Sequence, residues 1–213
     1  MGIFITLEGP DGSGKTTQAH LLVEWLRAQG HDPLLTREPG GSDIGDQIRE
    51  VLHDSANTAM TARAEFLLYS ASRAQHVAHL IAPSLAAGRV VVCDRYADSS
   101  LAYQGYGRGL DLETLRAITA FATEGVSPSL TLYFDIAAGD GLQRRFLSGE
   151  TWNRMDAEAL AFHRRVRAGY LELARAEPER WAIVDANRPI DDVQHDVRDL
   201  VGAHLEAELG NEA

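Results

Sequence analysis

Lysine is almost absent from this sequence. Of its 20 basic residues, 19 are arginine and only Lys15 is lysine, while 31 residues are acidic and the formal net charge is −11. An acidic balance of this size argues against a surface that binds DNA, RNA or an anionic membrane. It also raises the question of why a lysine stands at position 15, since every other basic position carries arginine.

Cysteine and long apolar segments are scarce as well. Cys93 is the only cysteine, so an internal disulfide is excluded, and the valines before it favour a buried strand over a redox site. No apolar stretch reaches the roughly 18 residues that a membrane-spanning helix needs. The first residues lack the basic flank and cleavage site of a signal peptide, so we expect a cytoplasmic protein without a membrane partner.

The composition, 45% hydrophobic and 24% charged, is that of a globular protein that can bury a full core. Short apolar runs alternate with longer segments of helical periodicity. This predicts an α/β fold, a five-stranded parallel sheet flanked by helices, in a single domain over residues 1–213. The predicted strands are Ile3–Leu7, Leu34–Thr36, Val90–Cys93, Leu130–Phe134 and Trp181–Val184. The predicted helices are Lys15–Gln29, Ile44–Asp54, Arg63–Ala87 (kinked or split near Pro83), Leu112–Thr123, a short one from Gly141, Asp156–Ala176 and Asp191–Leu209.

A glycine-rich loop joins the first predicted strand to the first predicted helix. Its pattern, Gly-x-x-x-x-Gly-Lys-Thr, is typical of a phosphate-binding loop, in which backbone N–H groups converge on phosphate oxygens at a helix N-terminus. Lys15, which we expect to be exposed, then reaches the β and γ phosphates, and Thr16 offers a hydroxyl to Mg²⁺. The predicted ATP phosphate-binding residues are Gly9, Pro10, Asp11, Gly12, Ser13, Gly14, Lys15, Thr16 and Thr17.

An acidic and a basic residue follow the third predicted strand. Asp94, at the carboxyl edge of the sheet beside the phosphate-binding loop, can hold Mg²⁺ or its waters, and Arg95 can bind a second phosphate. The simpler alternative is that Asp94 caps the next segment and Arg95 pairs with a surface carboxylate.

Several classes of protein use a phosphate-binding loop. A Ras-type GTPase is excluded, because its guanine-reading Asn-Lys-x-Asp motif needs a second lysine. A small-molecule kinase suits the length best. A kinase acting on a nucleoside would need a general base, for which Glu8 or Asp94 is available, and a nucleotide-binding switch without catalytic activity is a further alternative.

Four blocks of this sequence resemble the thymidylate kinase family over nearly the whole chain. They are Glu8–Gln18, Thr36–Gly41 (Thr-Arg-Glu-Pro-Gly-Gly), Arg73–Val77 together with Asp94–Gly105, and Arg164–Tyr170. The resemblance implies the fold of P-loop nucleoside monophosphate kinases with a short lid near residues 141–156. It further implies Mg²⁺-dependent phosphorylation of dTMP by ATP, a homodimer, and a cis peptide bond between Glu38 and Pro39.

The resemblance also implies the residues that bind dTMP. In this sequence they are Asp11, Arg37, Arg49, Tyr69, Arg73, Arg95, Ser100, Tyr103 and Gln104. Asp11 accepts a hydrogen bond from the 3′-hydroxyl, Tyr69 stacks on the base, Arg73 donates to a thymine carbonyl, and Tyr103 crowds the 2′ position of the sugar. Arg37, Arg49 and Arg95 hold the acceptor phosphate.

The residues alone leave simpler readings open. Tyr69 suits a plain core position, and Arg73, Gln75 and His76 suit one solvated helix face. His76 and His79 have the spacing of metal ligands, although no carboxylate or cysteine accompanies them.

A monophosphate acceptor is already ionised at neutral pH, so its phosphorylation needs positioning and charge neutralisation rather than a general base. The expected catalytic residues are Lys15, Arg95, Arg144 and Arg154, with Arg145 also available in the lid. This lid departs from the family pattern at Ser148, at Asn153, and by one inserted residue near Thr151 and Trp152.

Overall fold

The computed structural model describes residues 2–149 and 153–211. The strands in these ranges are β1 (Ile3–Glu8), β2 (Pro33–Arg37), β3 (Val90–Asp94), β4 (Leu130–Asp135) and β5 (Trp181–Asp185). The α-helices are α1 (Lys15–Ala28), α2 (Asp43–His53), α3 (Ala62–His76), α4 (Ala82–Ala86), α5 (Ala97–Ser100), α6 (Leu112–Thr123), α7 (Ala138–Leu147), α8 (Leu160–Ala176) and α9 (Ile190–Asn211). Two π-helical segments, Val77–Ile81 and Leu101–Gly107, join α3 to α4 and extend α5.

The described strands form one five-stranded parallel sheet in the order β2-β3-β1-β4-β5, which confirms the predicted fold class. β1 is central and pairs with β3 on one side and β4 on the other. Because Leu7 lies opposite Asp94, the loop after β1 and the residues after β3 emerge side by side at the carboxyl edge of the sheet. Ligands of open α/β sheets bind at this edge.

Alternating side chains of the strands supply cores on both faces of the sheet. Leu7 and Leu132 pack with α1 and α9 on one face, and Val91 and Cys93 pack with Ile81 on the other. Burial of each such side chain contributes about 1.5–3 kcal/mol relative to leaving it in water. Cys93 is a buried strand residue, as predicted, and burial raises the pKa of its thiol.

The prediction that the helix over 63–87 is kinked or split near Pro83 is confirmed, because a π-helical segment interrupts it just before this proline, which has no N–H to continue an α-helix. The helices differ from the predictions in three other places. The short helix predicted from Gly141 begins three residues earlier, at Ala138. The segment 97–107 is helical although no helix was predicted there, because nearly all of it is buried and it has no polar face to reveal a period. The helix predicted from Asp156 begins at Leu160, since Asn153 accepts hydrogen bonds from the next backbone N–H groups and forms a turn.

None of the helices in the described ranges is long and apolar enough to cross a membrane.

Candidate active site

The loop between β1 and α1 curves around an open space at the N-terminus of α1. Gly9 and Gly12 have φ angles of 146° and 78°, which residues with a side chain rarely adopt. A Cβ at Gly12 would also collide with the carbonyl oxygen of Gly141 in α7. Within the described residues no side chain caps α1, so the N–H groups of its first turn are left to bind an anion.

Lys15 lies under this loop and not on its surface. Its side chain is buried, with 5% of the residue exposed, and Nζ donates to the Pro10 carbonyl at 2.9 Å. The expectation of an exposed lysine is therefore wrong, because the loop folds back over its own side chain. Burial and the neighbouring Arg95 lower the pKa of Lys15 to about 8, against the opposing effect of nearby carboxylates.

Thr16 and Asp94 meet directly across the two strand ends. Thr16 Oγ1 donates to Asp94 Oδ2 at 2.6 Å, so a hydroxyl and a carboxylate stand together beside the phosphate-binding loop. Hard oxygen donors of this kind suit Mg²⁺, which takes its remaining ligands from phosphate and water. In the described part of the chain no cluster of three or more His, Cys, Asp or Glu side chains could hold a metal without such help.

Arg95 lies at the centre of the site. Its φ of 72° is unusual for a residue with a side chain, and it turns the guanidinium back toward the phosphate-binding loop. Nη2 donates to Asp11 Oδ1 at 2.8 Å and to the Tyr103 hydroxyl at 3.3 Å. The partner of Arg95 is thus a carboxylate within the cleft. Burial alone would raise the pKa of Asp11, but Arg95 and Lys15 outweigh it and hold this pKa below its usual value.

Glu8 stands behind Arg95, and the sequence suggested it only as an alternative base for a nucleoside acceptor. It is fully buried and accepts hydrogen bonds from the Tyr96 N–H at 2.8 Å, the Ser99 hydroxyl at 2.6 Å and the Tyr170 hydroxyl at 2.8 Å. Both hydroxyls also accept from Arg95 Nη1 at 3.3 Å. Burial, with a smaller effect of Asp98, raises the pKa of Glu8 to about 7.

A cleft of about 530 Å³ opens between the phosphate-binding loop and helices α2 and α3. All the residues predicted to bind dTMP border this acceptor cleft: Asp11, Arg37, Arg49, Tyr69, Arg73, Arg95, Ser100, Tyr103 and Gln104. Glu8 does not border it, so the alternative in which Glu8 acts as a base on a nucleoside loses its geometric support. The structure therefore brings together side chains that are up to 93 positions apart, as Asp11 and Gln104 are.

Two arginines stand at the mouth of the acceptor cleft. Arg37 is the last residue of β2, remains 57% exposed in its side chain, and pairs loosely with Asp46 at 3.4 Å. Arg49, in α2, donates through Nη1 to the Pro39 carbonyl at 2.9 Å. Burial and the nearby Arg37 lower the pKa of Arg49. Both cations are thus positioned at the mouth, where an anionic group of a bound molecule would lie.

Arg73 closes the opposite end of the cleft. Its Nε donates to Glu38 Oε2 at 2.8 Å, and Nη2 donates to the Tyr96 carbonyl and Ser100 Oγ at 3.1 Å each. The reading of Arg73 and His76 as part of a solvated helix face is wrong, because both side chains are buried against the Glu38 loop. The peptide bond between Glu38 and Pro39 is cis, as the resemblance implied.

Gln104 is held by a buried carboxylate, Glu65, which the sequence did not single out. Gln104 Nε2 donates to Glu65 Oε1 at 2.7 Å, and Arg108 forms a two-pronged pair with the same carboxylate. Arg154 also pairs with Glu65, at 2.5 Å, and its Nε donates to the Leu52 carbonyl. Arg154 is thus bound to Glu65, on which Gln104 is also held, and it is not among the described residues that border the acceptor cleft.

A second cleft, of about 580 Å³, lies on the other side of the phosphate-binding loop. It runs from the loop to the segment between β5 and α9, and Arg144 crosses it to donate to the Ala186 carbonyl and Asn187 Oδ1. Arg145 borders both clefts, with its Nε donating to Asp156 Oδ2 at 3.3 Å. Of the three lid arginines, Arg145 is the one that the structure places between the clefts.

The predicted lid, 141–156, is only partly described. Residues 141–147 form the end of α7, and 153–156 form the turn before α8. The insertion predicted near Thr151 and Trp152 lies outside the described residues.

Comparisons with known proteins give one consistent result. Residues 7–197 match the family model described as thymidylate kinase. The chain is 53% identical to the thymidylate kinase of Deinococcus radiodurans over 92% of this chain and 94% of that protein. It is 49% identical to that of Roseiflexus sp. (strain RS-1) over 96% of each. A crystal structure of thymidylate kinase from Ehrlichia chaffeensis superposes with a TM-score of 0.77 at 32% identity, covering 94% of this chain and 98% of that one.

Proposed function

The chain belongs to the thymidylate kinase family, and from this premise we propose how its residues share the work of the family's reaction. The protein is a phosphotransferase that uses ATP to convert dTMP to dTDP, with ADP as the other product. One observation carries the assignment of the site: the two clefts meet at a common wall made by Asp11, Lys15, Thr16 and Arg145. Two nucleotides that enter from opposite sides would therefore bring their phosphates together there.

The acceptor cleft binds dTMP with its phosphate at the mouth and its base at the blind end. Arg37, Arg49 and Arg95 surround the phosphate, where three cations offset its two negative charges. At the other end Arg73 and Gln104 offer donors to the pyrimidine, and Tyr69 supplies a ring beside it. A guanidinium donor pairs with the thymine carbonyl but not with the amino group that cytosine carries at that position.

The second cleft, which we name the donor cleft, binds ATP with its triphosphate on the phosphate-binding loop. Lys15 reaches the β and γ phosphates once they displace the Pro10 carbonyl as its hydrogen-bond partner. The Thr16 hydroxyl and the Asp94 carboxylate would hold Mg²⁺ or its bound waters. When bound, Mg²⁺ offsets negative charge on the β and γ phosphates.

The reaction needs no general base. A dTMP phosphate oxygen attacks the γ-phosphorus of ATP while the bond to the β,γ-bridging oxygen breaks, so the phosphoryl group moves and ADP leaves. Lys15 and Arg95 hold the donor and acceptor phosphates in line, and Arg145 spans the gap between them. The catalytic roles first expected for Arg144 and Arg154 pass in part to Arg145, because Arg144 faces the donor cleft and Arg154 is bound to Glu65.

The proposal extends to a lid over residues 141–156, to a single domain, and to a cytoplasmic homodimer. Support for the dimer comes from helices α2 and α6, which both pack against α3, and from the apolar side chains that these three helices expose. Val51, Leu67 and Phe121 are among these, and Phe121 is 87% exposed. Such residues on adjoining helices are typical of a protein interface. Light scattering of the purified protein tests the dimer.

A coupled assay of ADP release tests the acceptor. The purified protein is given ATP and Mg²⁺ with dTMP, dUMP, dCMP, AMP or thymidine, and we expect the highest kcat/KM with dTMP. Equal activity on dCMP or AMP, or none on dTMP, would refute the assignment of the acceptor cleft. Activity on thymidine in place of dTMP would instead support a nucleoside kinase, and ATP binding without any turnover would support a nucleotide switch.

A further inference from the structure

A chain of four buried side chains runs behind the base end of the acceptor cleft. Thr36 Oγ1 lies 2.7 Å from His76 Nε2, His76 Nδ1 lies 3.1 Å from Glu38 Oε1, and Arg73 Nε donates to Glu38 Oε2 at 2.8 Å. All four side chains are buried. These hydrogen bonds link the end of β2 to α3, and the last of them holds the Arg73 guanidinium, which we propose reads the base.

The chemistry of the partners fixes the direction of these hydrogen bonds. An ionised carboxylate only accepts, so Nδ1 of His76 carries the hydrogen and donates to Glu38. A neutral imidazole then has an acceptor at Nε2, and the Thr36 hydroxyl donates to it. Each carboxylate oxygen of Glu38 thus has one assigned donor, His76 on Oε1 and Arg73 on Oε2.

The imidazole has no room to turn. The backbone crosses it at Gly41, where a Cβ would lie 2.5 Å from His76 Nε2 and 2.8 Å from Thr36 Oγ1. The same loop is tied to α3 by the Gly40 N–H, which donates to Ser72 Oγ at 3.1 Å. His76 is thereby confined to the orientation that points Nδ1 at Glu38.

One nitrogen of the Arg73 guanidinium is not used by these hydrogen bonds. Glu38 takes Nε, and the Tyr96 carbonyl and Ser100 Oγ take Nη2. Nη1 is buried and has no hydrogen-bond partner in the ranges that the structure describes. A planar guanidinium that is held by hydrogen bonds at two of its nitrogens can orient the third nitrogen in one direction only. Since Arg73 borders the acceptor cleft, that direction determines what the cleft recognises.

We propose that His76 is a positioning residue for base recognition: acting through Glu38, it sets the orientation in which Arg73 presents Nη1 to the pyrimidine. The inference rests on the proposed function, in which Arg73 reads the base of dTMP. His76 itself touches neither nucleotide nor phosphate in this arrangement. Its loss should therefore weaken acceptor binding and acceptor choice while leaving ATP binding and the transfer step intact.

Two amide substitutions distinguish the roles of the two ring nitrogens of His76. In His76→Asn the amide nitrogen occupies the position of Nδ1 and can still donate to Glu38, whereas in His76→Gln the amide lies at the position of Nε2. We expect His76→Gln to raise KM for dTMP about tenfold and to lower the preference for dTMP over dCMP about tenfold, as one hydrogen bond to a charged group is lost. His76→Asn should stay within about threefold of wild type on both measures.

Steady-state kinetics with each substrate varied in turn provide the decisive readout. For both variants kcat and the KM for ATP should stay within about threefold of wild type, since no ATP-binding group is touched. The inference is overturned if His76→Gln leaves the KM for dTMP and the dTMP preference unchanged, or if His76→Asn is impaired as strongly as His76→Gln. It is equally overturned if the KM for ATP rises in parallel with that for dTMP.

A control at Arg73 keeps the inference distinguishable from the proposed function. If Arg73→Lys leaves the preference for dTMP over dCMP intact, the proposed base recognition fails, whatever His76 does. If Arg73→Lys loses that preference and His76→Gln keeps it, only the inference about His76 fails.

A variant at Thr36 tests the positioning role of His76 if the His76 variants do not fold. Thr36→Val removes the hydroxyl that holds Nε2 and keeps the shape of the side chain. A rise of about threefold in KM for dTMP, with an unchanged KM for ATP and an unchanged melting temperature, would support the chain of contacts. An unchanged KM for dTMP in a folded Thr36→Val protein would overturn it.

Discussion

The buried carboxyl of Glu8 makes the stability of this protein depend on pH in a direction opposite to that of most acidic residues. Burial raises its pKa from an ordinary 4.5 to about 7. The folded state therefore holds the proton more tightly than the unfolded state does. The stability that comes from this proton is complete below about pH 4.5 and is lost as the pH rises through 7.

The size of this pH dependence of stability follows from the pKa shift of Glu8. Each unit of pKa difference corresponds to about 1.4 kcal/mol, so between pH 5 and pH 8 the group should cost the folded state about 2 to 3 kcal/mol. In Glu8→Gln this dependence disappears, because the amide does not titrate. The amide also fits the donors of Tyr96, Ser99 and Tyr170 less well, but that loss is the same at every pH.

Urea unfolding of the wild type and of Glu8→Gln at several pH values measures this effect. We expect the free energy of unfolding of the wild type, relative to the variant, to fall by about 2 to 3 kcal/mol from pH 5 to pH 8. In a thermal scan this is roughly 5–10 °C for a chain of this length. Glu24→Gln, which alters an exposed carboxylate of α1, is the matched control. A difference that stays constant with pH, or that grows as the pH rises, would refute the reasoning.

Substitutions at three further positions test other parts of the site. Lys15→Ala should lower kcat at least about a hundredfold, because it removes the cation nearest the transferred phosphate, and a coupled assay showing a rate within tenfold of wild type would contradict this. Tyr103→Ala should raise activity on UMP relative to dUMP while Tyr103→Phe does not, since the ring, and not the hydroxyl, would crowd a 2′-hydroxyl; equal acceptor profiles for the two variants would refute that role. Glu65→Gln should lower the free energy of unfolding by about 3 kcal/mol in urea titrations, because Arg108 would lose its buried carboxylate; a loss below about 1 kcal/mol would show that the pair contributes little.

Local patterns predicted much of this fold. Each predicted strand is present within one residue at either end, because runs such as Val90–Cys93 are apolar on both faces and suit only the interior of a parallel sheet. The phosphate-binding loop was recognisable for a similar reason. Its glycines and its single lysine are close together in sequence, so the whole motif lies within one short segment.

What could not be predicted depends on partners that are far away in the sequence. Arg144 donates to the backbone carbonyl of Ala186, and Arg154 donates to that of Leu52. A carbonyl is present at every residue and carries no sequence signal, so neither arginine could be assigned to a cleft in advance. His76 was misread for the same reason: its partner Glu38 lies 38 residues away, and only the fold brings the two together.

The burial of Lys15 has a practical consequence for chemical labelling. It carries the only side-chain amine in the sequence, and its pKa of about 8 leaves a substantial uncharged, nucleophilic fraction in mildly alkaline buffer. An ordinary amine-acylating reagent, which on most proteins marks dozens of surface sites, has here only the α-amino group and the floor of the nucleotide cleft to react with. Acylation at Lys15 by a small reagent would thus report on occupancy of the donor cleft, whereas attachment to a solid surface through amines would use the α-amino group, since Lys15 is buried.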